Sequence, residues 1–159
     1  MTPLLHGLKA AALAAPLLLA PALAQDMEGD ADSGETLFGR NCISCHVIAD
    51  GDGETLAGRQ ARTGPNLYGV MGAEPGTAHD FAYSPALIAY GETGVIWEEE
   101  NTTSYLLNPT AHLRDALEDP GARGRMTYQM RSESDARDVA AFLARFPAGT
   151  EETESDEDG

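Results

Sequence analysis

Residues 41–46 read NCISCH, and they hold both cysteines of the 159-residue chain, three positions apart, with His46 directly after the second. Several chemistries use such a pair. A disulfide between positions three apart in a helix closes a very small loop and stabilises little. A thioredoxin-like redox pair belongs at a strand-to-helix junction, whereas here a capped helix signal comes before the motif. A zinc site needs a fourth ligand or an open position, and the other histidines beyond the first few residues, His79 and His112, stand in contexts without ligand spacing.

Covalent haem attachment is the reading that uses every residue of the motif. Cys42 and Cys45 lie on one side of a helical turn and can add across two vinyl groups, and His46 then projects its imidazole at the iron. The sixth position of such an iron is either open, for binding or catalysis, or closed, for electron transfer. Candidate closing ligands are Met71, Met126, Met130, His79 and His112. Met126 sits in "GRMTYQM", a polar, glycine-containing stretch just before the final helix, where a loop can wrap back over a ring. Met130 is its rival four residues on.

Working outward, residues 1–24 carry His6 and Lys9 ahead of an alanine- and leucine-rich run that ends Ala22-Leu23-Ala24. This predicts a secretory signal peptide cleaved after Ala24. The apolar run is shorter than the roughly 20 residues of a spanning helix and is interrupted by Pro16 and Pro21, and no other segment is apolar enough to span. A chain starting at Gln25 has nine arginines, no lysine and 26 acidic residues, a formal charge of −17. That excludes a basic nucleic-acid footprint.

Residues 25–31 are acidic and small and predict a loose lead-in to a domain over 32–147. A first helix is expected from a cap at Asp32 or Ser33 to about Val47, with Leu37, Phe38 and Cys42 on adjoining positions. Residues 48–96 read as loops and turns, too long a stretch for an ordinary compact domain unless a large buried prosthetic group orders it. A second helix is expected over Glu99–Asn108, stopped by Pro109, and a short third over 111–117. The last helix is the clearest: Ser132 or Ser134 caps it, and Val139, Phe142, Leu143 and Phe146 share a face. Residues 148–159 hold six acids and predict a disordered tail.

From Gly34 to Phe146 the ordered set "GETLFGRNCISCH", "TGPNLYGVMG", "FAYS", Trp97, "YLLNP", "GRMTYQM" and "DVAAFLARF" resembles the class I c-type cytochromes, most of all the larger bacterial c2 and c550 type. The resemblance implies an all-α class I fold, with N- and C-terminal helices crossing and loops wrapped around one covalent haem c. It implies thioethers at Cys42 and Cys45, His46 as proximal ligand, and the Pro65 carbonyl accepting its other ring N–H. Met126 matches the family's axial methionine. Tyr83 and Trp97 would bond a buried haem propionate, Tyr105 would lie beside the Met126 sulfur, and Tyr128 would cover the haem face near its exposed edge. Gly34 and Phe38 would let the first helix cross the last closely, against Phe142.

The chain departs from the family in three places. Ala73 stands where several relatives place an arginine near the propionate, the loop between Pro109 and Met126 is longer than in the mitochondrial proteins, and the lysine rim is absent. The resemblance implies a periplasmic, monomeric electron carrier rather than an enzyme. Its partners would be a bc1-type complex, an oxidase, a reaction centre or a dehydrogenase, in respiration or photosynthesis. The alternative is a dedicated electron-accepting haem subunit of a periplasmic dehydrogenase. Arg123, Arg125 and Arg131, in a stretch without acids, suggest a small basic docking patch on an acidic body.

Overall fold

The computed structural model describes residues 27–147. The signal peptide and the acidic tail expected from the sequence lie outside the described residues. Five helices and one small hairpin make up the fold: α1 Ala31–Asn41, β1 Val47–Ala49, β2 Thr55–Gly58, α2 Pro85–Gly91, α3 Glu99–Leu107, α4 Pro109–Ala116 and α5 Glu133–Leu143. The architecture is mostly helical, as expected, with the antiparallel pair β1–β2 added.

Helix α1 starts one turn earlier in the acidic segment than its sequence suggests. Asp30 is the cap, its side chain accepting from Ser33 N, and this bond, against a smaller opposing effect of burial, holds its pKa below the ordinary carboxylate value. The lead-in is also bonded to the body. The amides of Glu28 and Gly29 donate to the Glu99 carboxylate, and Asp30 N donates to Asp138 at 2.7 Å.

The expected continuation of α1 to Val47 is corrected. The helix ends at Asn41, and residues 42–46 form a tight turn in which the Cys45 and His46 amides both donate to the Cys42 carbonyl. The turn redirects the chain so that Val47 pairs with Gly58. The long stretch expected as loop also contains α2, which Ser84 caps and Pro85 opens. Pro109 stops α3 and, at the same time, opens α4 behind the Asn108 cap.

Helices α1 and α5 make the main helix crossing. A methyl group on Gly34 would sit inside contact distance of the Asp138 carbonyl oxygen and 2.8 Å from Phe142 Cβ, so only glycine permits this approach. Phe38 and Phe142 then pack with ring centroids 5.4 Å apart. Ile48, Leu106, Met130, Val139 and Leu143 complete this core, and Cys42 is packed into it. A second cluster of Leu87, Tyr90, Trp97, Leu113 and Ala122 lies between α2, α3 and α4. The space beside these clusters is lined by loops together with residues of α1, α2, α3 and α5.

Candidate functional site

That space is a cavity of about 440 Å³, within the roughly 300–1,000 Å³ range of sites that enclose a whole ligand. All nine residues singled out in the sequence line it: Cys42, Cys45, His46, Pro65, Tyr83, Trp97, Tyr105, Met126 and Tyr128. Their sequence positions span almost 90 residues, so the fold alone brings them together. Most of the remaining lining is apolar, including Phe38, Leu67, Leu87, Leu106 and Leu143.

The Cys42–His46 turn presents three functional side chains on one wall. Both thiols are free rather than joined to each other. Cys42 is 9% exposed, and burial, with the neighbouring Cys45, pushes its thiol up to about 11. His46 Nδ1 lies 3.0 Å from the Pro65 carbonyl oxygen, which can only accept, so Nδ1 donates and carries the proton. Burial holds the imidazole below the ordinary histidine pKa, with the Pro65 bond acting the other way. The ring is therefore neutral with its Nε2 lone pair unused, the form in which histidine ligates a metal.

Gly64, which the sequence reading passed over, makes this arrangement possible. A Cβ there would meet His46 Nδ1 at 2.6 Å and Nε2 at 2.8 Å. Its signal is the glycine immediately before Pro65 in "TGPNL", where the backbone must run against the ring. A second residue not foreseen as lining the cavity is Arg125, which donates to the Ala82 carbonyl next to Tyr83.

The candidate sixth ligands separate clearly. Met126 lines the cavity. Met130 is 6% exposed and belongs to the α1–α5 core, and Met71 receives a hydrogen bond from Thr102 outside the lining. His79 is exposed, and His112 stands behind Trp97 and Tyr105. Ala73 does line the cavity, so the position leaves a small apolar contact there. Tyr128, 40% exposed, marks the side where the lining meets solvent.

The residues present fit a covalently held haem: two unpaired thiols, a neutral imidazole with one free nitrogen beside them, a thioether, and an apolar enclosure. Comparison with known proteins agrees. The Cytochrome c family model matches residues 31–146. The chain is 48% identical over 119 residues to cytochrome c2 of Rhodovulum adriaticum, covering 75% of this chain and 94% of that one. It is 37% identical over 137 residues to cytochrome c-550 of Paracoccus denitrificans, covering 85% and 84%. The X-ray structure of cytochrome c2 from Rhodobacter sphaeroides superposes with a TM-score of 0.73 at 41% identity, covering 77% of this chain and 99% of that one. The chain belongs to the class I c-type cytochromes, in the c2 group, and carries one covalently attached haem c.

Proposed function

We propose that this haem c electron carrier works in the periplasm as a shuttle, and that His46 and Met126 would be the two protein ligands of its iron. Cys42 and Cys45 hold the group through thioethers. The carrying observation is that Met126 alone, among the five candidate sixth ligands, lines the cavity that His46 faces. A bound haem supplies reversible one-electron chemistry, and a thioether ligand favours the reduced iron and so raises the potential.

The chain's own residues supply the rest. Pro65 fixes the tautomer and orientation of His46 and, by accepting its N–H, strengthens the nitrogen that ligates. Tyr83 and Trp97 offer polar-tipped aromatics to a propionate, Tyr105 supports the Met126 sulfur, and the apolar wall keeps water from the iron. In this reading the chain carries an electron and transforms no substrate. Tyr128 stands where electrons enter and leave, at the exposed margin of the lining.

Electrostatics supports a docking face. The segments 36–49, 55–73 and 120–132 contain no acid, and they carry Arg40, Arg59, Arg62, Arg123, Arg125 and Arg131. The same segments contribute Cys42, Ser44–His46, Thr63–Val70 and Arg125–Tyr128 to the cavity. The other three arginines are engaged elsewhere. Arg137 pairs with Glu28 and Glu133, Arg145 with Asp32 and Glu35, and Arg114 donates to the Ala122 carbonyl. Arginine-bearing segments that border the cavity, with Glu74 the acid in its lining, on a chain of formal charge −16 orient encounter with an acidic partner such as a bc1-type complex, reaction centre or oxidase.

The ligand assignment is tested by the far-red absorption band of ferric methionine-ligated haem. It is expected in the native protein and in Met130→Leu, and absent in Met126→Leu. A band that survives Met126→Leu overturns the assignment.

A further inference from the structure

His112 has no part in holding the cofactor, yet it is wrapped in the residues that do. It lies on α4 and packs edge-on to Tyr90 of α2 at 5.0 Å and to Tyr105 of α3 at 5.8 Å, and it stacks on Trp97 at 6.4 Å between ring centroids. Trp97 and Tyr105 line the cavity and His112 does not, so one layer of aromatic rings separates the imidazole from the cavity. Its Nε2 is buried and has no hydrogen-bond partner. Its Nδ1 lies 3.0 Å from the hydroxyl of Ser104, an exposed residue.

This geometry suits a site that gains and loses a proton without moving. A neutral ring protonated on Nε2 accepts at Nδ1 from Ser104, and a ring protonated on both nitrogens donates to the same hydroxyl, because a hydroxyl can do either. Ser104 gives the proton a path from solvent. Asp115, on α4 itself, is the charged neighbour, and the Tyr90 and Tyr105 phenols face the ring from α2 and α3. Burial raises both phenols, Tyr105 to about 12, so they stay neutral while the imidazole titrates.

We propose that His112 couples proton uptake to electron uptake in this cytochrome and thereby tunes its potential. The inference rests on the electron-carrier reading above. One electron from the donor goes to the iron, one proton from solvent goes to the imidazole at Nδ1, and the sum leaves the charge of the pair unchanged. By linkage the coupling is reciprocal: reduction raises the proton affinity of His112, and a protonated His112 raises the electron affinity of the site. Nearness through a single ring layer of low polarity makes that interaction strong relative to the same separation in water. Burial, offset in part by Asp115, lowers the His112 pKa. The coupled window therefore lies on the acid side of the ordinary histidine range.

The test is the midpoint potential of the haem-loaded protein as a function of pH, from about pH 4.5 to 8, around the range in which histidines titrate. The native protein is expected to show a potential that falls as pH rises through the window and then levels, and His112→Phe a profile that has lost this step, any titration of the propionate proposed at Tyr83 and Trp97 being common to both. Proton NMR titration of the His112 ring in the native protein, once oxidised and once reduced, is expected to give a higher pKa in the reduced form. It also decides the question should His112→Phe not fold. Equal pKa values in the two forms, or a folded His112→Phe protein with the native pH profile, overturn the proposal. Failure of the carrier reading itself looks different: no reversible one-electron couple at any pH.

Discussion

At Gly64 the backbone runs so close to the His46 ring that an added methyl group has nowhere to go. Gly64→Ala should displace the ring from the Pro65 carbonyl, weaken the far-red band and cost about 1–3 kcal/mol, the usual penalty for overpacking; thermal unfolding of the haem-loaded protein measures it. Tyr105 gives a pH dependence. Its phenol is pushed up to about 12 by burial, above the ordinary value near 10. Its contribution is therefore complete below about pH 10 and is lost as pH rises towards 12. Tyr105→Phe should unfold at a higher pH than the native protein when followed by circular dichroism in alkaline buffers. The residues proposed to react or ligate stand out in the sequence because their chemistry demands particular side chains at fixed spacing. Gly64 and His112 do not. The first matters only for what it lacks, and the second draws its surroundings from α2, α3 and the Trp97 segment, which no local pattern connects.

The helix crossing sets how much can change at the scale of elements. Gly34→Ala drives Cβ into the Asp138 carbonyl and the Phe142 side chain, so α1 and α5 must separate. The expected loss is about 3 kcal/mol, at the upper end of overpacking costs, read as a lower denaturation midpoint with an unchanged slope. Ser132→Ala, which removes the cap that accepts from Asp135 N, should cost about 1 kcal/mol in the same assay. Element legibility follows local signals. Helix α5 has a cap, an acidic first turn and an apolar face, and it is found where the pattern puts it. Helix α1 was expected to continue through the cysteines because nothing local stops it. The tertiary pairing of Val47 with Gly58 and the Gly64 amide on the Cys45 carbonyl stop it instead. For α2 the signal is present in Ser84-Pro85 followed by Leu87 and Tyr90, but a seven-residue helix inside glycine- and proline-rich sequence is easily read as turns.

For the whole molecule, the proposed shuttle role makes charge separation the factor expected to govern encounter. Replacing Arg123 and Arg131 by glutamine should slow electron transfer to an acidic partner several-fold at low ionic strength and flatten its dependence on salt, because screening already removes attraction beyond about 10 Å at 0.1 M. Stopped-flow rates across a salt series check this, and a native rate that rises with salt would remove the basic face from the account. The signs of the charges are plain in the composition, but their segregation depends on which loops border the cavity. The same folding together of distant segments governs timing. Cys42 belongs to the same buried cluster as Val139, Phe142 and Leu143, side chains made some hundred residues later. Without that last helix the thiol loses part of this cover; in the folded chain it is 9% exposed and, with its pKa raised to about 11, a poor nucleophile. The thioether proposed at Cys42 is therefore expected to form before α5 docks, while the chain around the motif is still open.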